Sequence, residues 1–218
     1  MNNLTIRNIV AIKISLLILC FLLSHAASCI AANKPLDILG NVQAYINSIS
    51  TMQANFEERD LQKGIIRKGM LYISRPGKIK WEYESPDKRL VIASGDKVIY
   101  YDYALEELST LPVKSNILKV LSKTPIDLHS DCQVISVYED TNGNYVDVAL
   151  ADKTQQEIEN ILILKFTVKP KISLSHIGLM GPNGEALTEI SITNLQYGMK
   201  FGKDMFSFKD PKFFELER

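Results

Sequence analysis

Residues 69–86 read Gly69-Met70-Leu71-Tyr72-Ile73-Ser74-Arg75-Pro76-Gly77-Lys78-Ile79-Lys80-Trp81-Glu82-Tyr83-Glu84-Ser85-Pro86. From Lys78 to Tyr83 apolar and charged residues strictly alternate, which in an extended strand puts Ile79, Trp81 and Tyr83 on one face and Lys78, Lys80 and Glu82 on the other. One face is then buried and the other wet, as in an antiparallel sheet rather than a parallel one sandwiched between helices. By the same parity Leu71, Ile73 and Arg75 share a face. Downstream, Arg89–Ser94 and Lys97–Asp102 are β-rich runs divided by Gly95-Asp96, a short hairpin signal.

The same period continues toward the C-terminus. Cys132–Glu139 and Asn144–Ala151 flank Asn142-Gly143, the strongest two-residue hairpin signal in the chain. Ile161–Val168 and Lys171–Met180 are separated by Pro170, Leu187–Tyr197 follows the turn Gly181-Pro182-Asn183-Gly184, and Phe206–Lys209 reads as a last strand. In all the pattern predicts about eleven strands in an antiparallel meander. Helical spacing is confined to Pro35–Ser50, where Leu36, Leu39, Val42, Ile46 and Ile49 recur at three- and four-residue steps, and to a short stretch at Ser115–Lys123. These few helices do not alternate with strands, so the chain is expected to be one mainly β domain.

Composition agrees: 46% of the 218 residues are apolar and 23% charged, which suits a globular core and excludes a disordered or collagenous chain. Basic and acidic residues balance at 25 each, and no basic run offers the footprint of a nucleic-acid binder. Residues 1–32 differ from the rest, with Arg7 and Lys13, an apolar run Ile14–Leu23 and then small residues. They read as a secretory signal, with cleavage expected near Ala31 or Ala32 and the domain running from 33 to 218. An uncleaved anchor and an acylation site at Cys29 are the alternatives. Removal of the signal takes Cys20 and Cys29 with it, leaving Cys132 alone and no intramolecular disulfide. The fold is expected to rest on its core, with Cys132 an unbonded strand residue facing the same way as Val134 and Tyr138.

Local motifs for catalysis are missing. His129 and His176 do not stand at metal-ligand spacing, and there is no G-x-S-x-G, P-loop, G-x-G-x-x-G or H-E-x-x-H. Glu57-Glu58, Glu106-Glu107 and Asp140 read as solvated strand faces and loop tips, although a carboxylate pair leaves little local trace and a secreted β-rich hydrolase stays open as a reading.

Gly69-x-Leu71, Arg75-Pro76, Trp81 and Pro86, followed by the turn at Ser94-Gly95-Asp96 and the strand Tyr100-Tyr101-Asp102, form an ordered set that resembles the outer-membrane lipoprotein carrier family, LolA. The closing Phe206-x-Phe208-x-x-Pro211 resembles that family's last strand. Ser94-Gly95-Asp96 departs from the family's S-D-G order, and Ile79 stands where an aromatic is common. The resemblance implies an incomplete antiparallel barrel of about eleven strands whose concave apolar face is covered by helices. It implies a periplasmic, monomeric carrier for the acyl chains of lipoproteins, with no cofactor and no catalytic group. Its partners would be an inner-membrane ATP-driven transporter and an outer-membrane acceptor lipoprotein. Leu71, Ile73, Ile79, Trp81, Tyr83, Ile99 and Tyr101 would line the cavity. Arg75 would bond backbone carbonyls of the covering helices and hold the empty cavity shut. A related incomplete barrel that binds another lipid, or senses lipoproteins, is the alternative.

Overall fold

The computed structural model describes residues 38–112, 122–153 and 160–209. The expected signal, the first residues of the expected N-terminal helix and most of the one expected at Ser115–Lys123 lie outside these residues. Eleven strands form one antiparallel sheet: β1 (Thr51–Asp60), β2 (Ile65–Ser74), β3 (Lys78–Tyr83), β4 (Arg89–Ser94), β5 (Lys97–Asp102), β6 (Glu107–Pro112), β7 (Gln133–Glu139), β8 (Tyr145–Ala151), β9 (Ile161–Thr167), β10 (Ser173–Met180) and β11 (Ala186–Tyr197). The order across the sheet is β6-β5-β4-β3-β2-β1-β11-β10-β9-β8-β7. Two meanders of sequential neighbours thus meet at the β1–β11 ladder, and β6 and β7 end the sheet without pairing to each other, so the barrel is not closed.

Helix α1 (Ile38–Ser48) precedes β1, and a single turn, α2 (Leu128–Asp131), precedes β7. Asp127 caps α2, its carboxylate accepting from the backbone N–H groups of His129 and Ser130. Val42 and Ile46 of α1, with Ile49 just beyond it, point into the main core. Alternate residues of the sheet meet them: Met52, Ala54 and Phe56 of β1, Leu71 and Ile73 of β2, Ile79 and Trp81 of β3, and Leu162, Leu164 and Phe166 of β9. Strands as far apart in the sheet as β3 and β9 share this one cluster because the sheet curls around α1. We call this its inner face.

The outer face of β4 and β5 carries a second cluster, in which Leu90, Ile92 and Tyr101 pack with Phe206, flanked by Tyr72, Ile99, Phe201 and Phe208. Here the expectation of a closing strand at Phe206–Lys209 is corrected, since residues 203–206 form a turn. Its phenylalanines act as packing groups, with Phe206 edge-on to Phe201 at 5.5 Å and Phe208 against Tyr101 at 5.1 Å.

The expected eleven strands are reached instead through β1 and β6. The second half of β1, Glu57-Glu58-Arg59-Asp60, has poor strand propensity, and cross-strand ion pairs compensate: Glu57 with Lys68 at 3.2 Å and Glu58 with Arg67 at 3.3 Å. The hairpin at Asn142-Gly143 is present but longer than two residues. Asp140 organises it, its carboxylate accepting from the N–H groups of Asn142, Asn144 and Tyr145. These bonds hold the Asp140 carboxyl below the usual range, and they give that acid a structural task.

Gly69 sits in β2 between Phe56 of β1 and Tyr83 of β3. A Cβ there would lie 2.8 Å from the Phe56 ring and 2.1 Å from the Glu82 carbonyl oxygen. The bare backbone lets Phe56 lie over it and meet Tyr83 edge-on, with ring centroids 5.0 Å apart. Gly69→Ala is therefore expected to lower unfolding stability by about 1–3 kcal/mol. Urea denaturation followed by circular dichroism reads this, and an unchanged midpoint would contradict it.

Candidate functional site

On the inner face of β2 the residues Arg67, Gly69, Leu71, Ile73 and Arg75 follow one another, an apolar row with a cation at either end. The registers Leu71↔Trp81 and Ile73↔Ile79 set Trp81 and Ile79 beside it, and Tyr83 pairs with Gly69. The alternation in Lys78–Tyr83 thus has the expected outcome, with Ile79 and Trp81 buried and Lys80 and Glu82 joined by a 3.1 Å ion pair on the other side.

The Arg67 end is closed by charge. Its guanidinium donates to Glu58 and to Asp87 at 3.3 and 3.1 Å, and the Tyr83 hydroxyl donates to the other Glu58 oxygen at 2.5 Å. Burial, with the Glu58 carboxylate alongside, pushes the Tyr83 hydroxyl well above its ordinary pKa and keeps it a donor.

The Arg75 end meets α1. Arg75 Nη1 donates to the Ile46 carbonyl oxygen at 2.6 Å. That carbonyl belongs to the last turn of α1, where it also accepts from the Ile49 N–H at 3.3 Å and the macrodipole favours a cation. Burial lowers the Arg75 pKa to about 10, which leaves it charged at neutral pH. Other side chains tie α1 down. Asn47 donates to the Ile126 carbonyl and accepts from the Ile126 N–H, both at 2.8 Å, while Gln43 accepts from the Leu128 N–H at 2.8 Å. Tyr45 Oη accepts from the Leu174 N–H at 3.0 Å.

Between α1 and the sheet a cavity of about 30 Å³ remains, lined by Ile46, Ile49, Met52, Ile73, Leu164 and Phe166, with Tyr45 and Arg75 at its polar margin. A cavity of this size does not itself hold a long acyl chain while α1 stays in place. The described residues contain no group of three or more His, Cys, Asp and Glu placed to hold a metal ion.

An open, curled antiparallel sheet with one helix laid on its apolar face is the arrangement to set beside known proteins. The family model described as "Outer membrane lipoprotein carrier protein LolA" matches residues 47–209. The chain belongs to that family. An uncharacterised protein of Rickettsia prowazekii is 28% identical over 91% of this chain and 88% of its own. An outer-membrane lipoprotein carrier protein of Nitrosomonas europaea is 24% identical over 79% and 84%. Among solved structures, a LolA superfamily protein from the same organism aligns at 7% identity with a TM-score of 0.43, over 76% of this chain and 97% of that one.

Within this LolA-family fold the residues read from sequence divide. Leu71, Ile73, Ile79, Trp81 and Tyr83 come together on the inner face, with Arg75 at its margin. Ile99 and Tyr101 do not join them: both pack in the outer cluster with Leu90, Ile92 and Phe206. The reason is register. The two-residue turn at Gly95-Asp96 pairs Ala93 with Val98 and Val91 with Tyr100, so parity from Trp81↔Val91 sends Ile99 and Tyr101 to the opposite face. Counting through that turn is the signal that places them correctly.

Sequence reasoning missed the tethers Gln43, Tyr45 and Asn47, and the Glu58–Arg67–Asp87 group. His176 lies on the outer face, beside Ser175 Oγ, at an open groove that also holds Asp147 and Lys165.

Cys132 is buried and free, as expected, but it stands at the C-terminal cap of α2 rather than in a strand. A bulge between Val134 and Ser136 shifts β7, and Tyr138 is exposed rather than sharing the face of Cys132. Burial, then the Asp131 carboxylate, raise the Cys132 thiol from 9.0 to about 11. Two pH units mean about a hundredfold less thiolate at pH 8 than an ordinary cysteine carries. Native protein treated with a thiol reagent at pH 8 is expected to label Cys132 at least about a hundredfold more slowly than unfolded protein, read by peptide mapping that separates it from Cys20 and Cys29. Equal rates would contradict its sequestration.

Proposed function

We propose that this protein is a periplasmic carrier that takes the acyl chains of lipoproteins onto its inner face and moves them between membranes, by binding alone and without catalysis. The observation that carries this reading is the inner face itself, an extended apolar surface covered by a helix that hydrogen-bonded side chains hold in place. Each methylene removed from water contributes about 0.8 kcal/mol, so an acylated protein gains strongly from such a host. A helix pinned by a few polar bonds is a cover that can lift. The N-terminal pattern of Arg7, Lys13, an apolar run and small residues supports export, and loading would be driven by an inner-membrane ATP-dependent transporter. An acceptor in the outer membrane completes the route.

Native mass spectrometry of the protein purified from its own periplasm tests the class of cargo. Co-purified acylated lipoprotein is the expected result, and protein free of lipid under conditions that block delivery would count against it.

In this reading Arg75 is the latch of the empty state. Its bond to the Ile46 carbonyl, made by a charged donor, is worth about 1.5–3 kcal/mol. Arg75→Leu removes the latch and extends the apolar row, so the empty form loses stability and the loaded form gains contact. The variant is expected to retain lipoprotein roughly ten- to a hundredfold more tightly and to deliver it poorly. The measurement is lipoprotein bound to wild-type and variant protein, followed by transfer to acceptor membranes. Unchanged binding and transfer would make Arg75 an ordinary strand-end cation.

A further inference from the structure

Two buried side-chain polar atoms among the described residues lack a hydrogen-bond partner, Trp81 Nε1 and Asp147 Oδ1. They lie on opposite faces. Asp147 faces outward with its other oxygen paired to Lys165 at 3.6 Å, and its side chain keeps 30% exposure. Trp81 is on the inner face at 9% exposure, with Leu71 and Val91 as cross-strand neighbours.

An indole N–H is a donor only, so its missing partner must be an acceptor. No protein acceptor reaches it: Arg75 carries donors only, and the Tyr83 hydroxyl is turned to Glu58. Such an unmade bond in an otherwise apolar surface is unfavourable and calls for an explanation. The acceptor must therefore arrive on a molecule that is otherwise apolar. A carboxylate would need a countercharge, and the Ile73↔Ile79 pair stands between Trp81 and Arg75. An uncharged ester carbonyl meets every condition.

We propose that Trp81 Nε1–H donates to an ester carbonyl of the bound acylated ligand, so that the protein selects ester-linked chains over hydrocarbon of equal length. The inference rests on the carrier reading and assigns to its inner face a polar anchor. It makes Trp81 a specificity residue: alkyl chains supply the affinity, and the indole sets how far along the face the ester stops.

The test uses two probes, a diacylglyceryl-cysteine lipopeptide with ester-linked chains and its dialkyl-ether counterpart of equal chain length. Wild-type protein is expected to bind the ester form roughly three- to tenfold more tightly, the worth of one net hydrogen bond. Trp81→Phe should lose the preference and bind the two probes with equal affinity. A second readout needs no variant. The chain has a single Trp, so its one indole N–H resonance should move downfield with the ester lipopeptide and not with the ether. Equal wild-type affinities, a preference that survives in Trp81→Phe, or an indole resonance that responds alike to both probes would each overturn the anchor alone. If neither lipopeptide binds, the carrier reading fails and the anchor with it.

Discussion

The ladder between β1 and β11 is the contact on which the rest of the molecule depends. Every other pairing joins strands adjacent in sequence, through short turns or through the segment between β8 and β9. β1–β11 instead brings Met52 to Tyr197 and Asp60 to Thr188. Closing so long a loop is entropically unfavourable, and only what forms once it is closed can offset it. That is the main apolar cluster, to which β1 and β2 on one side and β8, β9 and β10 on the other all contribute. The ladder is also irregular. Its register shifts between Gln53 and Asn55, opposite Asn194, whose φ of 53° is left-handed. A bulge of this kind increases local twist, which suits a sheet that must curl around a helix.

Two kinds of force hold α1, and they do different things. Burial of Val42, Ile46 and Ile49 supplies attraction without direction. The hydrogen bonds of Gln43, Tyr45, Asn47 and Arg75 supply direction, each joining a side chain to backbone on a separate element. An apolar ligand competes with the first kind and leaves the second to be broken one at a time. The small cavity beneath α1, about 30 Å³ among the described residues, fits a cover seated by both.

Much of this was readable before any coordinates. Strict alternation from Lys78 to Tyr83 gave both the fold class and the buried side of β3, because period two leaves no freedom once one face is apolar. The helix carrying Val42 and Ile46 followed from spacing just as directly. What escaped notice depended on partners distant in sequence. Glu58 looks like a solvated acid until Arg67 and Tyr83 are beside it, and Asn47 is an unremarkable helix residue until Ile126 arrives. Ile99 and Tyr101 were misplaced for a different reason. Their runs are apolar at nearly every position, so hydrophobicity alone cannot choose a face, and only the residue count through Gly95-Asp96 does. The closing phenylalanines carry the same lesson, since aromatic alternation marks packing whether or not the backbone pairs.

Those phenylalanines make the two halves of the sheet unequal. Beneath Phe201, Phe206 and Phe208 the strands β4 and β5 have apolar cover on their outer side, where Leu90, Ile92 and Tyr101 pack. On the outer side of β8, β9 and β10 there is an open groove of about 280 Å³ around Asp147, Lys165, His176 and Gly178. Among the described residues the first half carries an apolar cover outside, and the second opens to this groove. Stiffness in a sheet follows cover, because backbone hydrogen bonds reached by solvent open at lower free energy. By that rule the half beneath the phenylalanines is the stiffer part of the described sheet.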